Sequence, residues 1–388
     1  MTWKTTVAVT VLLAAGLAAC RDATTPQVPD APASARIVPG QYIVVFRDGV
    51  ADPVSLSRQL AKAEGGTLRF TYTSALKGFA ARLSDAGARA LARNPQVAYV
   101  EPDREFRVDV TQNMNANGDP WGIDRIDQTA LPLSRTYTYT ATGAGVHAYI
   151  IDTGIWTLHS DFGGRANNVY DAFAATGEDC HGHGTHVAGT VGGTTYGVAK
   201  GASLHGVRVL SCAGLGLTSQ IIAGIDWVRA NHIKPAVANM SLGGGLSAAL
   251  NTATTNLSNA GVFVAVAAGN DNVDACQASP ASANGVFTAA ASEKTDAKAS
   301  YSNWGSCVEG YAPGSAIVSD FLAGTTTSLS GTSMASPHVA GVAVLYKATF
   351  GDASSATVST WIITNSTAGV VTGNPGGTPN RLLSKSSL

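Results

Sequence analysis

Hydrophobic positions change their spacing several times along this chain, and each change marks an element. Residues 41–46 form a short apolar run of strand type, and residues 54–64 carry Leu56, Leu60 and Ala63 at helical spacing. Residues 67–83 hold two further strands, 85–93 a second helix and 97–100 a last strand. The resulting order, βαββαβ, is that of a small ferredoxin-like α+β module spanning residues 37–108. Further on, buried-type runs at 146–151, 207–210, 237–242 and 262–268 alternate with helices at 219–232 and 246–259. The second of these helices places Leu246, Leu250, Ala253 and Leu257 on one face, with Gly261 just past its end. Strands apolar at nearly every position are covered on both sides, so the pattern predicts an α/β fold with a mostly parallel central sheet between helices.

Composition narrows the functional classes. The 388 residues are 45% hydrophobic and 13% charged, with a formal net charge of −1, which supports a sizeable core and gives no reason to expect a nucleic-acid partner. Lys4 precedes an apolar stretch at 7–19, long enough for a signal peptide and too short to span a bilayer. Leu17-Ala18-Ala19-Cys20 resembles a bacterial lipobox, so Cys20 is a candidate lipid attachment point, the alternative being an ordinary signal peptide. Residues 21–36, rich in Pro, Ala and Thr, read as a tether. The remaining cysteines, Cys180, Cys212, Cys276 and Cys307, form an even set in an exported chain and predict two disulfides, with three connectivities open.

The candidate chemistry lies in three strings in the order Asp, His, Ser. Asp152-Thr153-Gly154 ends an apolar run, His183-Gly184-Thr185-His186-Val187-Ala188-Gly189 opens a helix, and Gly331-Thr332-Ser333-Met334-Ala335-Ser336-Pro337-His338 opens another with Pro337 in its first turn. A serine hydroxyl is a weak nucleophile until an imidazole takes its proton, and a buried carboxylate fixes that imidazole's tautomer. Helix N-termini add positive potential where an oxyanion develops. Competing readings are weak. His181, His183 and His186 lie close in sequence, but no HExxH string occurs, and His186 and His338 read as packing residues. Gly143-Ala144-Gly145 precedes its strand, unlike a dinucleotide fingerprint, and there is no Gly-x-Ser-x-Gly elbow.

With these strings the chain resembles the subtilisin-like serine proteases, most closely the proteinase K and aqualysin branch, from Pro120-Trp121-Gly122 to Asn380-Arg381-Leu382. The resemblance implies a three-layer subtilisin-like fold over residues 111–388 and a secreted serine endopeptidase acting on proteins and peptides, with no cofactor in catalysis. Asp152, His183 and Ser333 would be the triad, and Asn270 the side-chain donor of the oxyanion hole. Gly214, Leu215 and Gly216, with Ser241, Leu242 and Gly243, match the two strands that flank a bound peptide, and Ala267, Ala268 and Gly269 the pocket before the scissile bond. A roomy pocket implies a broad hydrophobic or aromatic preference. Where some relatives carry a tyrosine over a more distant subsite, this chain has Thr218 nearby.

The same resemblance implies the pairings Cys180–Cys212 and Cys276–Cys307. It also implies a structural calcium at Asn284, Val286 and Glu309, with a second candidate set at Asp124, Asp127 and Gln128. There, Ser134 and Thr136 replace stronger ligands found in some relatives. Residues 37–108 resemble an inhibitory propeptide, the chain's own intramolecular partner and folding assistant. Self-processing is then expected near Val110-Thr111, releasing a monomeric mature enzyme from a lipid-anchored leader. The alternative function is a catalytically silent relative that only binds peptides.

Overall fold

The computed structural model describes Met1 and residues 37–107, 111–112 and 120–388. The leader, Cys20, the tether and Val110 lie outside the described residues.

The central sheet of the larger part is built from strands buried on both faces. In His147–Asp152, Ala148 and Ile150 point into one core while Tyr149 and Ile151 point into the other. Phe263–Ala267 divides the same way, Phe263 and Ala265 against Val264 and Val266. Helices His183–Gly192 and Thr332–Phe350 cover the first face through Val187, Val191, Val339 and Val342. Helices Thr218–Asn231 and Ala248–Asn259 cover the second through Ile221, Ile225, Leu250 and Leu257. Across the sheet the strands run Thr367–Ala368, Arg381–Leu382, Gly310–Pro313, Phe287–Ser292, Phe263–Ala267, Ala236–Met240, His147–Asp152, Ser203–Arg208 and Ala166–Asp171. Every pairing is parallel except the first. The fold is a three-layer α/β arrangement, as the resemblance implies.

The N-terminal module forms its own antiparallel sheet in the order Thr67–Tyr72, Gly78–Arg82, Ile37–Phe46, Val97–Arg107, with helices Pro53–Ala63 and Asp85–Leu91. Its first strand is apolar on both faces for a reason local to this chain. Val44 and Phe46 pack on Leu56, Leu60 and Leu91 of its own helices, whereas Ile43 and Val45 join the core containing Ile221 and Leu250 of the larger part. Carboxylates reinforce the contact at helix N-termini, where unpaired N–H groups favour negative charge. Asp103 accepts from Ser219 N–H at 2.9 Å and from the Ser219 hydroxyl. Glu101 accepts from the Ser247 hydroxyl and from Ala249 N–H at 3.2 Å. Asp226 reaches the other way, to N–H groups of Thr73, Ser74 and Ala75 at 3.3, 2.6 and 2.5 Å.

Several boundaries differ from the sequence reading. Leu246 precedes its helix and is 47% exposed, because Ser247 caps the helix by accepting Leu250 N–H. The strand placed at 207–210 is Ser203–Arg208, since pairing with Ala166–Asp171 and His147–Asp152 outweighs the polar His205. The strand placed at 97–100 continues to Arg107, where it pairs with Leu215–Leu217. Pro337 is the sixth residue of its helix, beyond the first turn.

Candidate active site

The candidate residues gather at the carboxyl end of the sheet, the usual edge for ligands in open α/β folds. Asp152 is the last residue of its strand, and His183 is the first residue of a helix preceded by Gly182 at φ +100°, a left-handed conformation suited to glycine. The two segments approach closely at Gly184, where a Cβ would collide with the Gly154 carbonyl. His183 Nδ1–H donates to Asp152 Oδ1 at 2.7 Å, and Thr153 N–H donates to the same oxygen at 2.7 Å. Both partners are buried, and His183 Nε2 has no hydrogen-bond partner among the described residues. The carboxylate therefore turns the basic nitrogen away from itself and leaves it available to a proton.

Ser333 is the second residue of the helix that packs beside the His183 helix. Its Oγ–H rests on the Ser241 carbonyl at 3.3 Å, so in this state the hydroxyl is parked on the neighbouring chain segment. Asn270 follows strand Phe263–Ala267, and its Oδ1 accepts from Thr332 N–H at 2.8 Å and from Thr332 Oγ1–H at 3.0 Å. Those bonds fix which end of the amide is the acceptor and make Nδ2 the donor edge, beside the residue that precedes Ser333. Thr332 Oγ1 also accepts from Gly269 N–H at 3.0 Å, and Asn303 Nδ2 donates to the Ala268 carbonyl at 2.9 Å.

Sequence reasoning missed Asp179, the hub between the first two motifs. Its Oδ1 accepts from His181 and Gly182 N–H and from Thr153 Oγ1–H, each at 2.9 Å, and its Oδ2 from Thr185 N–H at 3.0 Å and Thr185 Oγ1–H at 2.6 Å. An aspartate just ahead of a helix start is the available clue. Thr332, Asn239 and Ser336 were missed as well. Threonine, asparagine and serine are too common for their types alone to mark them.

Leu215–Leu217 pairs antiparallel with the N-terminal module, Leu217 opposite Glu105, Gly216 opposite Phe106 and Leu215 opposite Arg107. Gly214 closes the turn before it, its N–H on the Ser211 carbonyl at 2.9 Å. Thr218 Oγ1–H donates to the Arg104 carbonyl at 3.2 Å. Thr111–Gln112 pairs with Thr326–Ser330, so the chain leaves one strand edge at Arg107 and joins another at Thr111. Ser241 and Leu242 are buried, as are Ala267 and Ala268.

Other ionisable groups serve packing. His186 Nε2–H donates to the Ile317 carbonyl at 2.9 Å, and burial holds its pKa down to about 3. His338 Nδ1–H donates to the Met334 carbonyl at 2.8 Å, with its pKa held at about 4 by burial. Neither ring converges with His181 on a metal; among the described residues no group of three or more His, Cys, Asp or Glu side chains does so.

Asp320 is the exception. It is 0% exposed at the end of strand Ile317–Asp320, its polar neighbours are the Asp161 carboxylate and His159 Nδ1 at 3.5 Å, and no N–H or O–H among the described residues donates to its oxygens. That nitrogen already accepts Asp161 N–H at 3.2 Å, and Nε2 donates to the Thr325 carbonyl at 2.9 Å, so the ring presents a lone pair. Burial, then the adjacent Asp161 carboxylate, pushes the Asp320 carboxyl up to about 8. It lies against Gly189 and Gly193, where any Cβ would crowd it.

The metal candidates separate. Both oxygens of Asp124 accept protein donors, Oδ1 from Ser134 Oγ–H at 2.9 Å and Oδ2 from Arg135 N–H at 2.8 Å. Asp127 Oδ1 lies 3.3 Å from Lys385 Nζ, and Gln128 Oε1 accepts Ser134 N–H at 2.8 Å. Each of these side chains therefore already carries a protein donor or a cation. At the other set, Glu309 Oε2 accepts Thr288 N–H at 2.6 Å, and burial pushes its carboxyl up to about 7. Glu309 is half-buried, with the nearby Arg381 drawing its carboxyl back down, and a carboxylate oxygen of this kind suits a hard cation.

Cys180 bonds Cys212 and Cys276 bonds Cys307. The first joins the loop before His183 to the turn before the Leu215–Leu217 edge, and Arg208 Nη2 lies 3.4 and 3.5 Å from its two sulfurs.

Comparison with known proteins agrees with this geometry. Residues 143–382 match the subtilase family and residues 41–109 the peptidase inhibitor I9 family. The chain is 48% identical over 370 residues to an extracellular serine proteinase of Thermus sp. (strain Rt41A), covering 89% of each chain. It is 41% identical over 356 residues to proteinase R of Parengyodontium album, covering 90% of each. The crystal structure of a cold adapted subtilisin-like serine proteinase superposes with a TM-score of 0.67 at 48% identity, covering 69% of this chain and 98% of that one. The chain belongs to the subtilase family: it is a subtilisin-like serine protease of the proteinase K type, preceded by an I9 propeptide.

Proposed function

We propose that the chain is a secreted, self-processing zymogen in which Ser333 is the nucleophile, His183 the base, Asp152 its orienting acid and Asn270 an oxyanion donor. Ser333 Oγ attacks the scissile carbonyl while His183 Nε2 takes its proton, and the carbonyl oxygen becomes an oxyanion facing Asn270 Nδ2–H and the helix N-terminus. Collapse expels the amine, which receives the proton from His183, and water then cleaves the acyl-enzyme by the same route in reverse. The observation that carries self-processing is the course of the propeptide. Up to Arg107 it is strand-paired on Leu215–Leu217, an edge of the kind a peptide substrate adds to, and Thr111 is paired on Thr326–Ser330, which supports a cut between the two pairings.

Small side chains at Ala267, Ala268 and Gly269 support a preference for bulky hydrophobic or aromatic residues before the cut. Calcium, held by Glu309 with the carbonyls of Asn284 and Val286, would serve stability alone. Lipid on Cys20 would stay with the leader and propeptide, freeing a monomeric enzyme after the cut. Expression of wild type and Ser333→Ala with intact-mass analysis tests the scheme. The wild type yields a mature chain beginning near Thr111, and the variant stays full length apart from leader removal. A variant that matures by itself in purified form overturns both the nucleophile and the scheme.

A further inference from the structure

Pro337 stands four residues after Ser333 in a continuous helix. A helical carbonyl normally accepts the N–H of the residue four positions on, and proline has none to give. The carbonyl deprived in this way is that of Ser333 itself. Ser241 Oγ–H supplies the bond, at 2.7 Å. Because a carbonyl only accepts, the Ser241 hydroxyl is the donor there, and its oxygen accepts Asn239 Nδ2–H at 2.8 Å. Asn239 Oδ1 in turn accepts Ser336 Oγ–H at 2.7 Å, which brings the chain of bonds back to the same helix. Asn239, Ser241 and Ser336 are all buried, so no bulk water competes for these groups.

We propose that Ser241 is the positioning residue of the nucleophile: its hydroxyl, oriented by Asn239 and Ser336, replaces the amide that Pro337 withholds and fixes the Ser333 backbone. This rests on Ser333 being the nucleophile. An ordinary helical bond would tie Ser333 to its own helix alone. The hydroxyl ties it instead to the segment 241–243 that borders the substrate, so the reacting oxygen and the peptide edge are held as one body. The Ser333 Oγ–H parked on the Ser241 carbonyl is the second half of the same link. Removing the hydroxyl leaves a buried acceptor unpaired and lets Ser333 shift, while the backbone that would bind the peptide is unchanged.

The test is a double-mutant cycle in the processed enzyme, using Ser241→Ala, Pro337→Ala and their combination. Steady-state kinetics on a peptide substrate, fluorophosphonate labelling rates and melting temperatures are measured for each. S241A is expected to lower kcat and the labelling rate about tenfold with KM within about twofold. In the P337A background the same change costs less than about threefold, because the backbone N–H that the second substitution restores at position 337 now reaches the Ser333 carbonyl. Equal losses in both backgrounds, or a raised KM with unchanged kcat, overturn the proposal. If S241A does not fold, Ser336→Ala takes its place, with about a threefold loss of kcat expected and no loss refuting. Failure of the wild type itself to label would instead refute the nucleophile.

Discussion

Replacing Asp320 by Asn should stabilise the protein in alkali and leave it nearly unchanged in acid. The carboxyl is raised from the ordinary 3.8 to about 8, first by burial and then by the Asp161 carboxylate. The folded state therefore keeps a proton on Asp320 between roughly pH 4 and 8, where the unfolded chain has lost it. Its contribution is complete below the ordinary value, falls as pH rises through that window, and is flat once both states are ionised. A displacement of this size corresponds to about 6 kcal/mol at most at the alkaline end. An amide is neutral throughout, and its Nδ2–H can donate to Asp161. Thermal unfolding of D320N in a Ser333→Ala background, which prevents self-digestion, should give a melting temperature about 10 °C above the Asp320 parent at about pH 9. Near pH 4 the two should agree within about 2 °C. Comparing the two proteins cancels the titration of Glu309 in the same window. If D320N is no more stable than its parent at about pH 9, the Asp320 carboxyl is not raised in the fold, and the reasoning fails.

Asn270→Ala should reduce kcat by about a hundred- to a thousandfold with little change in KM, the loss that a related subtilisin shows without this donor. Gly184→Ala should abolish processing in cells, since its Cβ would drive the His183 helix off the Gly154 carbonyl; a normally matured variant on a gel would contradict this. Replacing Cys276 and Cys307 by Ser should cost about 4 kcal/mol, read from denaturant unfolding, because the bridge closes a separation of 31 residues. Calcium protection against heating should fade as pH falls through about 7, where Glu309 takes up its proton, and should vanish in Glu309→Gln. Protection that persists in that variant would move the ion elsewhere.

The parts of the fold legible in the sequence are those encoded locally. Ala148, Tyr149, Ile150 and Ile151 announce a strand buried on both faces, and the strings around Asp152, His183 and Ser333 carry their own helix starts and tight turns. What escaped depends on distant partners. Ala166–Asp171 carries no apolar run to mark it, and pairing with Ser203–Arg208 makes it an edge strand. Arg107 belongs to a strand only because Leu215 lies opposite. Nothing local to Asp320 foretells its burial, which comes from Gly189 and Gly193 lying against it. Asp179 and Asn239 act by joining motifs, and no local pattern records which motifs meet.

The strand Ile37–Phe46 is greasy on both sides, and only one side is covered by the module's own helices. Under the proposed maturation, that module would leave only by wetting Ile43, Val45 and Tyr72 together. Detached, it would be a poorly shielded fragment next to an enzyme that digests loose chains. The same residues that would make it a tight stopper would thus make it disposable, and its destruction would turn a reversible block into a one-way release.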